Sequence, residues 1–347
     1  MVSSKEWRLA ELRGAAAARS LQDRLGIRKM LLDGDRPVDI FEVIQRTGLT
    51  CMFQPLRSLL GAFITYKGVR GLIVTTERDL HLQRFTAAHE LGHSELRHST
   101  TSLDTEVGFA ARGPVPVAAK GGGERRDAQE IEADAFASEL LLPKWLIIAH
   151  LRRQAWAVND LRSPEIVYQL SLRLAVSYSA TCWSLASNDI IPRSLAKALV
   201  KVPPKKSKEN ALPGFKPSST WHDTDVWLLT SKDKGALVLG DPDDRLVLSL
   251  EEHVASGYQW DIDVSKPAGL LIEKDERLDG GEVESGMVGA PVTRRMVMTG
   301  PVDSHVVMQE RRPWLQNEQP INTYELDLEL VGRETLGLSR AARRSRL

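Results

Sequence analysis

The chain has no excess of charge of either sign: 46 lysines and arginines balance 46 aspartates and glutamates, which gives no bulk pull toward nucleic acid or an anionic membrane. Cysteine is scarce. Cys51 and Cys182 are too few for a disulfide framework and read as core thiols in a reducing compartment. No apolar run approaches the roughly 20 residues needed to span a bilayer. The opening Met1-Val2-Ser3-Ser4-Lys5-Glu6-Trp7 also lacks the apolar segment of a signal peptide. The expectation is a cytoplasmic location with no membrane partner. What is present is ordinary for a globular protein, 42% hydrophobic and 27% charged residues, over enough chain for two domains with their own cores.

Against that background one stretch stands out, Phe85-Thr86-Ala87-Ala88-His89-Glu90-Leu91-Gly92-His93-Ser94-Glu95-Leu96, because it holds His-Glu-x-x-His within a helical period. At about 100° per residue, His89 and His93 stand one turn apart on one face, so both imidazoles reach a single metal ion. A five-residue match alone also fits a surface helix. The flanks argue otherwise: Phe85, Ala88, His89, Gly92, His93 and Leu96 form one apolar stripe, which puts the histidines on the buried side. Zinc takes neutral nitrogen donors at about 2.0–2.1 Å and, in catalytic sites, leaves one position to water. Glu90 is placed as the base that takes the water's proton. Gly92 costs about 1 kcal/mol against alanine in a helix interior, which makes sense where another element or the metal approaches closely.

A third ligand is expected from a second helix, Asp127 to Leu142, ended by Pro143. Glu130, Ala133, Asp134, Ala137 and Leu141 share one face, and the alanines let this helix lie close to the first. Glu130 completes a His, His, Glu set. Asp134, one turn on, is placed to hydrogen-bond a ligand histidine and fix its orientation. The competing reading of both is a solvated acidic face. Glu132 points away in this register. His98, about 180° round the helix from His89, reads as a surface residue, as do His81 and His150.

The motif His89-Glu90-Leu91-Gly92-His93, followed by Glu130-Ile131-Glu132-Ala133-Asp134-Ala135-Phe136-Ala137 and Leu140-Leu141-Leu142-Pro143, resembles the ImmA/IrrE family of zinc metallopeptidases. The resemblance spans roughly residues 10–200. It implies a gluzincin-like fold, a bacterial cytoplasmic setting and Glu130 as third ligand. The implied substrate class is a helix-turn-helix repressor, cleaved to relieve repression after stress or damage.

Along the chain, residues 5–32 read as amphipathic helices and Pro37 to Thr47 as another. Gly48 to Gln54 reads as a strand, and Gly61–Tyr66 with Gly71–Thr75 as a hairpin that could hold an extended substrate or serve as plain core sheet. Residues 113–123, rich in Gly, Pro and Ala, read as an irregular loop flanking the cleft. Val167 to Leu185 has a helix-turn-helix cadence, but Ser179 to Ala186 offers no Arg, Lys, Asn or Gln toward base edges, so direct DNA binding is not expected. No residue is identified as oxyanion stabiliser; Tyr66 and Tyr168 are the tyrosines considered. Residues 201–221, with Pro, basic and polar side chains, read as a linker.

Beyond the linker eight short strands with turns between them imply a β-sandwich. Ala255-Ser256-Gly257-Tyr258-Gln259-Trp260, Gly286-Met287-Val288-Gly289 and Arg312-Pro313-Trp314 resemble the three loops of chagasin-type inhibitors of papain-like cysteine proteases. In that family an immunoglobulin-like sandwich is implied to present these loops as a wedge. The first loop departs from the family's Asn-Pro-Thr-Thr, reading Glu252-His253-Val254-Ala255-Ser256. Exposed Tyr, Trp and Arg are common interface anchors, so Gly257, Tyr258, Trp260, Gly286, Gly289, Arg312, Pro313 and Trp314 form a candidate protein-binding set. The tryptophans fit core plugs equally well.

The expected architecture is therefore α+β. Residues 1–200 form a zinc metallopeptidase domain, 201–221 a linker, 222–332 a chagasin-like sandwich and 333–347 a disordered basic tail. His89, His93 and Glu130 bind zinc, with manganese as the alternative ion. The sandwich is expected either to recognise the substrate or to cover and regulate the cleft; the rival is a protein-binding or protease-inhibitor module whose metal site is silent or structural.

Overall fold

In the computed structural model the described residues are 4–57, 59–66, 69–98, 103–105, 128–217, 220–262, 267–278, 292–315 and 319–345. Helix α1 (Ser4–Leu25) turns Ala10, Gly14, Ala18 and Leu21 inward at helical spacing. A short α2 (Ile27–Met30) follows, then α3 (Ile40–Arg46), capped by Asp39, whose carboxylate accepts from the Phe41 and Glu42 amides. Strands β1 (Thr50–Gln54), β2 (Leu59–Tyr66) and β3 (Val69–Thr75) come next, β2 and β3 as the expected hairpin and β1 parallel to β3. Asp79 then caps α4 (Leu80–Glu95) by accepting from the Leu82 amide. Strand β4 (Leu103–Thr105) pairs along the outer side of β2, so β2 is not the free edge that an added substrate strand would need.

Helices α5 (Ala128–Leu141), α6 (Lys144–Gln154), α7 (Pro164–Leu174), α8 (Tyr178–Ser187), α9 (Arg193–Leu199) and α10 (Pro204–Ala211) complete this half. Ser163 caps α7 with Pro164 at its first turn, as its sequence predicts. The α7–α8 pair, which has the cadence of a DNA reader, is built into the core. Every residue from Val167 to Leu174 is buried.

The second half is a sandwich of two four-stranded sheets. Strands β5 (Val226–Leu229), β7 (Arg245–Glu252), β10 (Val292–Thr299) and β9 (Leu271–Leu278) lie side by side in one. The other holds β6 (Ala236–Gly240), β12 (Asn322–Leu330), β11 (Val302–Arg311) and β8 (Gln259–Asp261) in that order. Alternation along β12 buries Tyr324, Leu326, Leu328 and Leu330 on the inner face.

Two expectations about the connections are corrected. The stretch 201–221 contains α10, whose Ser207 and Lys208 are buried. Lys208 finds a partner that makes burial tolerable, Asp225 Oδ1 at 2.9 Å, and also donates to the Trp221 carbonyl. The tail is not a disordered appendage over its described part: β13 (Gly337–Leu338) adds to β1, and α11 (Arg340–Arg344) packs on α3. Composition misled here because Arg340 and Arg344 are paired, with Glu334 and with Glu329 and Asp303.

The halves share one continuous apolar core. At their junction the Gln169 side chain acts like a further strand on the edge of β5, donating to Val226 O at 2.8 Å and accepting from Leu228 N–H at 2.9 Å. Arg173 donates to both Asp233 oxygens at 3.0 Å, and Gln154 donates to Asp233 as well. The tail also reaches the motif helix. Gln83 of α4, fully buried, donates to the Glu334 and Thr75 carbonyls and accepts from the Glu334 amide.

Removing residues 333–347 strips Gln83 of two partners and opens the β1 edge. Leaving such buried groups unsatisfied costs about 1–3 kcal/mol each, so the truncated chain should melt several degrees lower, with faster amide exchange in β1 and α4. His150 of α6 is buried and not at the surface. Burial, then the charges of Arg173 and Arg153, push its pKa from the usual 6.5 down to about 3. The unfolded chain takes this proton below about 6.5 and the folded one does not. Stability is therefore full above that pH and falls toward pH 3, by up to about 1.4 kcal/mol per pH unit. His150→Leu should flatten this acid limb in denaturant titrations.

Candidate metal centre

Helix α5 lies between α1 and α4, and all residues from Ile131 to Ala137 are buried. Glycine permits the approach on both sides. A Cβ on Gly92 would meet Phe136 at 3.1 Å and the Ala133 Cα at 3.2 Å, and one on Gly14 would sit 2.0 Å from the Glu132 carbonyl oxygen. The cost of Gly92 in α4 thus coincides with a helix–helix contact. On the other side of α4, β2 crosses so closely that a Cβ on Gly61 would lie 2.5 Å from Thr86 Cγ2 and 3.2 Å from Glu90 Cγ.

Within this layered packing His89, His93 and Glu130 converge. The two Nε2 atoms are 3.0 Å apart, and Glu130 carboxylate oxygens stand 3.4 Å from His89 Nε2 and 3.6 Å from His93 Nε2. Donors held 2.0–2.1 Å from a tetrahedral ion stand about 3.3 Å from one another. The spacing and the donor types therefore fit such an ion, and these three residues are the group of potential metal donors found among the described residues. Both histidines and Glu90 are buried, while Glu130 is partly exposed. Asp134 Oδ1 accepts from His89 Nδ1 at 2.9 Å.

His98 and His81 differ from their sequence reading. His98 is buried, 2.9 Å from His93 Nδ1 through its own Nδ1, and its Nε2 is 2.9 Å from Glu132 Oε2. Extending the helical wheel to residue 98 fails because α4 ends at Glu95. Glu132 does point away from His89, but α5 has packed neighbours on that side too, so its carboxylate is buried beside His98. His81 is half-buried and faces Asp225 of the sandwich, with Nε2 to Oδ2 at 3.9 Å. Burial opposes ionisation of Asp225, but His81 and Lys208 outweigh it and hold that carboxyl well below the usual range. Tyr168 belongs to the same junction: its hydroxyl donates to Asp225 and accepts from the Val226 amide. The Tyr66 side chain and residues 113–123 lie outside the described residues.

At the sandwich loops the structure separates the two tryptophans. Trp260 is core, its indole donating to the Glu251 carbonyl at 2.8 Å. Trp314 is 62% exposed and lies over Gly257, whose φ of 81° and 2.7 Å clearance leave no place for a side chain. Arg312 stacks on Tyr258 at 4.4 Å, and Pro313 is exposed. Gly286 and Gly289 lie outside the described residues.

Residues 44–185 match the IrrE N-terminal-like domain, peptidase family M78, and residues 241–328 match the chagasin family of peptidase inhibitors, I42. The chain joins an IrrE-like domain to a chagasin-like domain. Among solved structures, the cysteine protease inhibitor EhICP2 from Entamoeba histolytica is 20% identical over 31% of this chain and 96% of its own, with a TM-score of 0.28. Amebosin is 21% identical over 30% of this chain and 96% of its own, at 0.25. A Mycobacterium tuberculosis transcriptional regulator is 14% identical over 85% of this chain and 81% of its own, at 0.30. No curated protein matches. The IrrE-like domain carries the His89, His93, Glu130 cluster, and among the described residues no helix is long and apolar enough to cross a membrane.

Gly92→Val places branched carbon against the fully buried Phe136 side chain and the Ala133 backbone. Overpacking of this kind costs about 1–3 kcal/mol. The variant should melt lower and take up zinc more weakly, both measurable on the purified chain.

Proposed function

We propose that the IrrE-like domain is a zinc-dependent endopeptidase that cuts a regulatory protein in a stress, phage or mobile-element response. The resemblance to the ImmA/IrrE family makes a helix-turn-helix repressor the preferred substrate class. The observation that carries the reading is the convergence of His89, His93 and Glu130 around one point, with Glu90 beside them on α4. These three would hold the ion, and manganese is the alternative to zinc. When bound, it supplies Lewis acidity that polarises the scissile carbonyl and acidifies water. Glu90 takes the proton of the attacking water on its carboxylate and returns it to the leaving amine. Asp134 fixes the tautomer of His89 by accepting from Nδ1, which leaves Nε2 as the donor. The chagasin-like domain recognises protein through Tyr258, Arg312 and Trp314.

Elemental mass spectrometry of the purified chain should find about one zinc per molecule, reduced in Glu130→Ala and Glu130→Gln. Glu90→Gln should keep the metal and lose cleavage of co-expressed repressors by at least 100-fold. Absence of metal after zinc reconstitution would falsify the proposal. The second reading, a protein-binding or inhibitory module with a silent or structural metal site, draws on the exposed Trp314 beside the Arg312–Tyr258 stack. Stoichiometric inhibition of papain by the full chain, lost in Trp314→Ala, would favour it.

A further inference from the structure

The chain does not leave α4 in a straight line but folds back under it. Leu96 caps the helix, Arg97 adopts a left-handed φ of 56°, and the His98 amide donates to the His93 carbonyl at 3.0 Å. This is a helix stop whose left-handed residue is usually glycine, and whose following residue usually makes an apolar contact with the last turn. Here the contact is imidazole against imidazole, with ring centroids 5.0 Å apart at 70°. Beyond it stands Glu132, its backbone carbonyl against Gly14 of α1 and its Oε1 3.5 Å from Arg13.

The order of hydrogens along this line follows from what each group can do. The Glu132 carboxylate accepts, so His98 carries a hydrogen on Nε2. In a neutral ring that leaves His98 Nδ1 bare, able to accept from His93 Nδ1–H across the 2.9 Å contact. The Nε2 of His93 is then a lone pair aimed at the point shared with His89 and Glu130. The reverse order would put a hydrogen on His93 Nε2 and remove it as a donor. We infer that His98 and Glu132 are positioning residues that order the hydrogens of His93 and preset it as an Nε2 metal donor, the counterpart of Asp134 for His89. The inference rests on the zinc reading. It adds that α5 governs both histidines, one directly and one through a residue lying outside the His-Glu-x-x-His motif.

Two measurements on the full chain test it. Long-range nitrogen–proton spectra of histidine-labelled, metal-free protein should show His93 and His89 protonated on Nδ1 and His98 on Nε2. A His93 Nδ1 without hydrogen, or a His98 protonated on Nδ1, overturns the relay, whatever the metal does. Second, zinc affinity is read by chelator competition, with the melting point of the metal-free chain as control for structure. His98→Leu and Glu132→Leu should each weaken zinc 10- to 100-fold, as loss of such outer partners does. His98→Gln, whose amide oxygen can still accept from His93 Nδ1, should recover part of that loss. The double His98→Leu, Glu132→Leu variant should be no weaker than the worse single one, because the two act in series. Zinc affinity within threefold of the parent in His98→Leu overturns the relay and leaves the peptidase reading standing. Failure of the parent chain to bind zinc overturns both.

Discussion

The distance between α5 and its two neighbouring helices is the constraint on which the site depends. It is set by residues with almost no side chain, Gly14 on one side and Gly92 with Ala133 on the other. At this separation α5 has no solvent face along most of its length, yet it carries Glu130, Glu132 and Asp134 within five residues. Buried carboxylates are costly unless paired. The two buried ones are paired, Glu132 with His98 and Arg13 and Asp134 with His89, while the partly exposed Glu130 faces His89 and His93 across the candidate metal point. Acidic residues on α5 and imidazoles on and after α4 therefore answer one another, and a wider spacing would leave both sets buried without partners.

The same economy of contact joins the two domains. The chagasin-like domain is entered at β5, where Gln169 and Arg173 grip the strand's backbone. It is left through residues that continue into β13 of the IrrE-like sheet. Both connections are pinned, and the Arg173–Asp233 pair at the junction is buried. Hinged opening at one connector would break the other. Control of access by swinging the sandwich as a lid is thus costly in this architecture, whereas recognition by loops held at a fixed place fits it.

Much of the fold was legible because its signals are local. Short strand-like runs separated by turn signals marked all eight sandwich strands, Ser163-Pro164 marked the start of α7, and the spacing of His89 and His93 with the face carrying Glu130 marked the cluster that the structure brings together. What escaped was set by neighbours rather than by pattern. His98 was placed on a helix that had already stopped, and Leu96-Arg97 contains no glycine or proline to announce the turn. Glu132 does point away from His89, but no local signal shows that α1 covers it there from more than a hundred residues away. The tail read as disordered because its arginines have carboxylate partners only in three dimensions. Trp260 and Trp314 carried identical signals and were divided by strand position, one inside the β8 pairing and one on a loop.

The departure of the first sandwich loop from its family pattern has a physical counterpart. Glu252 and Glu310 are fully buried, an arrangement that normally demands several partners. Glu252 accepts from Arg277, Arg294 and the Trp260 amide, and Glu310 from the His253 amide and from Asn322. These bonds clamp both ends of the segment His253 to Gln259, and a clamped loop loses little conformational freedom on binding a partner. The group beside it, exposed Trp314 over Gly257 with half-buried Arg312 on Tyr258, is already stacked in the unbound chain. For the proposed recognition role, a surface ordered in this way requires only that a partner present a complementary pocket and not that it be a cysteine protease.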